Sequence, residues 1–439
     1  MGHAAMLVDY VPYRDQITKA MDLLIQYFSM MNSMTKLVLC SLLMMVVQRQ
    51  RASKRAEIEK QKKFEAILST SDFPPVEPLK DFNWEKTEPL KLRPYKPKYH
   101  LTMALENLDP NELIPMDKTY KERITHRREL LKEYPDVVCR VNKDDDDADP
   151  RIRKAVEELY RYIMGIYLPG RYPQMFKLAP TEFETGPTLM VRNLITRELL
   201  PIQISPTRST RSILETLIKS VDEDMLILLP EQNSDDEAVD SHKGGNSKHE
   251  KKDIYSDDSS AGRSVPVKYV LQAYATCFPS GFDTRKKLGK VLADIHEPVP
   301  GYKEKLEKSM DRFFHKLEPG KYVKRVNWSV TTGAELFAPF GGIHAVEGEG
   351  ITPIKLEELD VDNTFLRCER QTLYRLPQSK ALVFSFHTYR YPIQEIKHEG
   401  SGEDLVTAID GVEEGSMPQM AGYKRIQAWG DAVKEFLRS

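Results

Sequence analysis

The chain has 439 residues, of which 40% are hydrophobic and 30% charged, a composition that predicts a globular fold with a sizeable core. Its 64 Lys and Arg residues nearly balance 66 Asp and Glu residues, which argues against a nucleic-acid-binding protein because those usually carry a basic excess. The 4 cysteines form no CxxC pair, so a disulfide scaffold is excluded and a reducing, intracellular compartment is favoured.

Residues 1–72 are predicted to be a helical extension with a composition of their own. Leu37–Val47 is almost wholly apolar, and a basic cluster at residues 48–55 follows it. A helix that spans a membrane needs about 20 apolar residues, a length reached here only by taking residues 23–47 with their polar members. This segment is therefore either a membrane anchor or an amphipathic or poorly ordered leader. As an anchor, it would leave the main domain facing the cytoplasm, because basic clusters stay on that side.

Residues 73–439 are predicted to form one mixed α/β domain of the α+β class. Prolines are frequent from Phe73 to Pro97 and favour an extended segment that wraps onto the domain. Residues 230–262 are rich in Ser, Asp, Lys and Gly. They are predicted to be a disordered insertion, because they offer too little apolar surface to offset the loss of chain entropy.

Local patterns predict the elements of this domain in chain order. Asp149 is expected to cap a helix that begins at Pro150 and continues to about Ile166, since its apolar residues keep a helical spacing. Strand patterns fill much of residues 183–229, with a helix at 210–220. Further helices are predicted at residues 283–295, 301–316 and 422–437, and further strands at 321–331 and 380–391.

His296 is the first candidate site residue. It stands at the end of a predicted helix, because Pro298 disfavours helical geometry at the residue before it. A histidine held rigidly in this way suits an axial ligand of iron, and neutral imidazole is a common haem ligand. The same features also fit an ordinary structural histidine. The same two interpretations apply to His100, His344 and His387.

A second group of candidates lies in the polar segment Leu366–Pro377. If this segment is a strand, Arg367, Glu369 and Gln371 share one face and Arg370 lies on the other. Buried arginines need carboxylates or anionic ligands as partners. Haem propionates would meet that need, and so would a structural ion-pair network around Glu369.

Three sequence blocks, taken together and in this order, resemble the family of haem-dependent oxidative N-demethylase alpha-subunit-like proteins. They are the IHxPVP block at Ile295–Pro300, the Asn327–Trp328 pair and the LRxERQTLxRLP block at Leu366–Pro377. The resemblance covers residues 80–230 and 265–400. The apolar segment near the N-terminus and the 230–262 insertion depart from the bacterial pattern, which makes the chain similar to a fungal-type member.

The resemblance implies a PAS-like antiparallel sheet flanked by helices, which binds haem and uses O2 to oxidise a small methylated amine with release of formaldehyde. Electrons would come from a separate flavin and iron–sulfur reductase, since the sequence contains no motif for either group. The implied iron ligand is His296. The implied haem contacts are Arg325, Asn327, Trp328 and Arg367, and the implied catalytic pocket residues are Arg370 and Gln371.

Three alternatives stay open on the sequence alone. A thiolate of Cys277 or Cys368 could replace His296 as the iron ligand, although neither is surrounded by a sequence typical of thiolate-bound haem. A pocket that binds haem or a gas without turnover would make the chain a sensor or carrier. A chain that has lost the cofactor would be a membrane-tethered scaffold, since a fold alone does not determine function.

Overall fold

The computed structural model describes residue 26 and residues 29–68, 72–143, 149–183, 186–232, 267–333, 335–345 and 350–439. The chain divides into two compact units, Met1–Ile67 and Leu68–Ser439, and we call the second the main domain. In the first unit, helix α1 (Ser33–Leu68) continues from the apolar run through the basic cluster and the charged residues after it.

The membrane-anchor interpretation of residues 23–47 finds no support among the described helices. In none of them does an apolar stretch reach the length and mean hydropathy that a membrane crossing requires. Within α1 itself, the long basic and acidic part lowers the mean hydropathy.

The main domain is built on an antiparallel sheet of seven strands in the order β1-β8-β9-β10-β6-β7-β2, with a separate antiparallel sheet β3-β4-β5. The strands are β1 Glu106–Asn107, β2 Cys139–Val141, β3 Phe176–Phe183, β4 Gly186–Asn193, β5 Leu199–Pro201, β6 Asp224–Pro230, β7 Tyr269–Ala275, β8 Tyr322–Thr332, β9 Thr364–Arg375 and β10 Leu382–Pro392.

The predicted insertion at residues 230–262 falls almost entirely outside the described residues.

The helices surround this sheet and are mostly short, so the class is α+β as predicted. The helices of the main domain are α2 Tyr120–Glu133, α3 Pro135–Val138, α4 Pro150–Tyr160, α5 Leu168–Arg171, α6 Thr210–Ile218, α7 Leu292–Ile295, α8 Tyr302–Lys305, α9 Glu307–Lys316, α10 Ile393–His398, α11 Gly402–Glu413, α12 Gln419–Tyr423 and α13 Ile426–Arg438. A π-helical stretch, Arg161–Tyr167, joins α4 to α5.

Several predicted elements are confirmed, and one is wrong. Asp149 caps α4 by accepting a hydrogen bond from the backbone N–H of Arg151, and Pro150 occupies the first turn. The helix predicted at 283–295 is broken into a 3₁₀ turn and the short α7. Gly289 lies between them with φ 76°, a left-handed conformation that no helix contains, and its N–H bonds the Leu271 carbonyl at 2.8 Å.

The two faces of the large sheet carry different apolar clusters. On one face, Leu226, Val323 and Leu373 pack with side chains of α8 and α9. On the other, Trp328 and Cys368 pack with α10 to α13. Alternation along β8 and β9 therefore determines which side chains point toward α8 and α9 and which toward the C-terminal helices.

The approach of α11 to the extended segment before β1 gives a testable prediction. The N–H of Tyr99 bonds the Gly411 carbonyl at 2.9 Å, and a Cβ at Gly411 would lie 2.2 Å from the Pro97 carbonyl oxygen. Gly411→Ala should therefore destabilise the domain by about 1–3 kcal/mol, despite the better helix propensity of alanine. Chemical unfolding of the variant and the wild type measures this difference in the free energy of unfolding.

The matched control for this prediction is Gly422→Ala. The nearest atom to a Cβ at Gly422 is 3.9 Å away, an ordinary contact. Equal stability of the two variants would contradict the steric argument.

A candidate cofactor site between the sheet and helices α7 to α9

The main domain encloses a cavity of about 260 Å³, which we call the central cavity. This is far more than the roughly 10–15 Å³ that one water molecule requires. The lining is mainly apolar, so charged groups inside it interact more strongly than in water. Its apolar members include Leu105, Leu226, Leu228, Leu271, Phe282, Leu292, Leu306, Met310, Phe314, Val323, Leu373, Phe384 and Phe386.

His296 lies in the wall of the central cavity, directly after α7. Its Nδ1 is 2.8 Å from the carbonyl oxygen of Leu292. A carbonyl can only accept a hydrogen bond, so Nδ1 carries the proton and Nε2 keeps a free lone pair. The ring also stacks on Tyr302 with centroids 4.7 Å apart. Backbone and stacking contacts together fix the tautomer and the orientation of the ring.

Burial keeps this imidazole neutral. It lowers the pKa of His296 to about 4; the hydrogen bond to Leu292 opposes this shift and the charge of Lys287 adds to it. A neutral imidazole is the form that binds a metal. His296 is therefore ready to act as a ligand at physiological pH without losing a proton.

Arg325 brings a buried positive charge to the same cavity. Its Nε is buried and meets no hydrogen-bond acceptor among the described residues. Burial lowers the pKa of Arg325, and Tyr99 and Glu369 oppose this shift. A buried guanidinium normally pairs with a carboxylate or an anionic ligand. The free donor is therefore suited to an acidic group of a molecule held in the cavity.

Lys424 is a second buried cation in the lining. Its Nζ donates to Asn327 Oδ1 at 3.1 Å and to the Trp328 carbonyl. Burial lowers the pKa of Lys424 to about 8, with the nearby charge of Arg325 adding to the shift. Sequence reasoning missed this residue, because Lys424 falls within the predicted helix 422–437, where a lysine is ordinarily a solvent-exposed residue.

Glu369 provides the negative charge of the cavity. The pairing of β8 with β9 sets it opposite Asn327, and sets Gln371 opposite Arg325. Gln371 donates to Glu369 Oε2 at 2.9 Å, while the buried Oε1 has no hydrogen-bond partner in the part of the chain that the structure describes. A carboxylate with one free buried oxygen can accept a hydrogen bond from a cationic ligand.

His344 brings a second imidazole to the central cavity. It stacks on Tyr423 with centroids 4.4 Å apart, and no described residue hydrogen-bonds its buried Nδ1. Burial lowers the pKa of His344 to about 3, and the charges of Lys424 and Arg367 add to the shift. The sequence left its role open, and it lies far from His296 along the chain.

Three of the residues predicted from the sequence lie outside this cavity. Arg367 donates to Ser280 Oγ at 2.8 Å and to the Phe278 carbonyl at 2.9 Å, so it holds loops together. Arg370 points to the opposite face of the sheet and donates to the carbonyls of Glu112 and Leu113. Trp328 also faces that way and packs with the C-terminal helices.

The two thiols considered as iron ligands are placed elsewhere as well. Burial raises the pKa of Cys277 to about 12, with Arg127 opposing the shift. Burial also raises the pKa of Cys368 to about 12. The Sγ of Cys368 lies 3.7 Å from the Leu92 carbonyl, and the residue packs with helices α10 to α13. Both are neutral thiols in packed surroundings, whereas His296 faces the cavity.

Comparison with known families agrees with this geometry. Residues 104–434 match the family described as haem-dependent oxidative N-demethylase, alpha subunit-like. The matched range contains His296, Arg325, Glu369 and Lys424, together with the sheet and the helices that enclose the cavity. The chain belongs to the haem-dependent oxidative N-demethylase alpha subunit-like family.

Proposed function

We propose that this chain is the haem-binding subunit of an enzyme that removes a methyl group from a small amine with O2. The observation that carries the proposal is His296, a neutral imidazole fixed through Nδ1 whose Nε2 lone pair is left for a ligand in an apolar cavity. The hydrogen bond from the second ring nitrogen to a carbonyl is what orients histidine ligands of metals in general.

The residues of the central cavity fit haem in three respects. Leucine and phenylalanine side chains suit the apolar faces of a porphyrin. Arg325 has a free buried donor for an acidic substituent. Within the described residues no three His, Cys, Asp or Glu side chains converge as a chelating site. A haem iron would need no such cluster, because the porphyrin nitrogens bind it and the protein would supply a single side-chain ligand.

When bound, haem supplies the activation of O2, a chemistry that amino-acid side chains lack. The overall reaction balances if an N-methyl amine, O2, two electrons and two protons give the demethylated amine, formaldehyde and water. The electrons come from a separate flavin and iron–sulfur reductase. Glu369 binds the ammonium form of the substrate, and the apolar walls exclude bulk water.

We also propose that the chain is located inside the cell. The four cysteines, Cys40, Cys139, Cys277 and Cys368, are all free thiols, which supports an intracellular location. We also propose that the large antiparallel sheet is PAS-like.

Turnover tests the proposal. The haem-loaded full chain, mixed with a flavin and iron–sulfur reductase and NAD(P)H, should consume O2 and release formaldehyde when dimethylamine or trimethylamine is added. Binding of haem without amine-dependent O2 uptake across a panel of methylated amines would instead assign the chain as a sensor or carrier.

The role of Glu369 is tested by Glu369→Gln, which keeps the shape of the side chain but removes its charge. The variant should lower kcat/KM for the methylated amine about 10- to 100-fold, the cost of losing a hydrogen bond to a charged group, while haem content stays normal. Glu358→Gln, at an exposed position, is the control and should behave as the wild type. Normal kcat/KM in Glu369→Gln would remove this residue from substrate binding.

A further inference from the structure

A second cavity, which we call the side cavity, lies on the other side of Arg325, Asn327 and Lys424. These three residues line both cavities, as do Tyr99 and Thr102, so the five residues form a shared wall. The side cavity has a volume of about 810 Å³, within the range of ordinary ligand sites. Nothing in the proposed demethylation reaction requires this space.

The walls of the side cavity carry a large excess of positive charge. Eight Lys or Arg residues line it, against two Glu residues. Ion pairs account for part of this charge: Lys91 and Arg93 pair with Glu399, and Lys324 pairs with Glu112. Within the described part of the chain, the other cations of this lining form no salt bridge with a carboxylate, although Glu369 acts on Arg325 and Lys424 through its charge.

Arg171 and Arg370 show this excess most clearly. Arg370 donates to the carbonyls of Glu112 and Leu113, and Arg171 donates to the Glu77 carbonyl at 2.9 Å. These acceptors are neutral and compensate no charge. The Nε of Arg171 is buried and meets no hydrogen-bond acceptor among the described residues, although the Tyr172 hydroxyl interacts with the same guanidinium. Leaving such donors unpaired is costly, so an anion in the cavity is expected to stabilise them.

The positions of these arginines separate this site from the first. Arg171 and Arg370 line the side cavity, whereas the lining of the central cavity contains neither. An acidic group of a molecule in the central cavity could pair with Arg325 in the shared wall, but it would leave the Nε of Arg171 without an acceptor. An anion in the side cavity itself would supply that acceptor.

The remaining lining indicates what else the anion carries. Aromatic and apolar side chains alternate with the cations, among them Tyr95, Tyr172, Trp328, Leu92 and Val326. Arginine guanidinium groups bind carboxylates and phosphates through paired hydrogen bonds, and aromatic rings offer contacts to flat apolar groups. We propose that the side cavity binds an organic anion in which a carboxylate or phosphate is attached to an apolar or aromatic body.

Phenyl phosphate and benzoate are suitable probes, and isothermal titration calorimetry on the haem-loaded full chain is the measurement. Both probes should bind, and benzyl alcohol, which has the ring but no charge, should bind at least about tenfold more weakly. Arg171→Gln should weaken phenyl phosphate at least about tenfold, with haem content unchanged. Arg312→Gln, an exposed residue of α9, is the control and should bind as the wild type.

Three outcomes overturn the proposal. The first is failure of phenyl phosphate to bind, and the second is binding to Arg171→Gln as tight as to the wild type. The third is binding to the haem-free chain only, which would show that acidic groups of the cofactor fill the site. If Arg171→Gln does not fold, the comparison of phenyl phosphate with benzyl alcohol on the wild type decides. The His296→Ala chain should still bind the probe, so failure of the haem assignment is distinguishable.

Discussion

Replacement of His296 by alanine is expected to abolish stoichiometric haem binding by the full-length chain. The substitution removes the Nε2 lone pair of a histidine in the cavity lining and leaves apolar contacts and Arg325 to hold the cofactor. A haem protein without its axial ligand loses the bond that fixes the iron and its spectrum. The measurement is the haem content per chain after expression with a haem precursor, read from the absorption spectrum.

Two further variants sharpen this experiment. His315→Ala, at an exposed position on α9, should load haem as the wild type does. His344→Ala tests the other imidazole in the cavity, which should be dispensable for loading if His296 is the ligand. A normal spectrum in His296→Ala, or loss of haem in His344→Ala alone, would contradict the assignment of His296.

Replacement of Arg127 by methionine is expected to cost about 3–5 kcal/mol of stability, the range for breaking a buried ion pair from one side. Arg127 is 1% exposed, donates to Asp224 at 2.6 Å and bonds the Glu223 carbonyl at 2.7 Å. Asp224 also accepts the N–H groups of Cys277 and Phe278, at the start of the loop that leads to Ser280 in the cavity lining. Losing Arg127 therefore leaves a buried carboxylate without its cation.

The control for Arg127 is an exposed arginine in a similar pair. Arg285 bonds Asp283 at 2.7 Å, with 37% of its side chain exposed. Arg285→Met should cost less than about 1 kcal/mol, because exposed pairs contribute little. Urea unfolding followed by circular dichroism gives the free energy of unfolding of each variant. A similar loss of stability in both would contradict the claim that burial makes the Arg127 pair more important.

The fold was largely readable from the sequence where the signal is local. Local patterns identified β8 and β10 near their observed limits, and the cap identified the start of α4, which changes to a π-helical stretch at Arg161. The helix predicted at 283–295 failed because Gly289 needs a left-handed conformation to hydrogen-bond β7, a long-range contact that composition does not reveal. Periodicity reports the faces of an element, and the partner across each face comes from tertiary packing.

The same distinction explains the candidate site. His296, Arg325, Asn327 and Gln371 all line the central cavity. Alternation along β9 already placed Arg370 on the face opposite Gln371, so the two could not line one pocket from the same strand. Two further lining residues, Lys424 and His344, come from chain segments far from His296, and only the packing of the C-terminal helices brings them there.

The most direct test of the central claim is an absorption spectrum of the purified full-length chain, expressed with haem supplementation, before and after dithionite and CO. We expect one haem per chain and a Soret band that shifts with CO to the position typical of imidazole ligation. A colourless protein that also fails to take up added hemin would contradict it, and so would a CO complex with the spectrum of thiolate ligation.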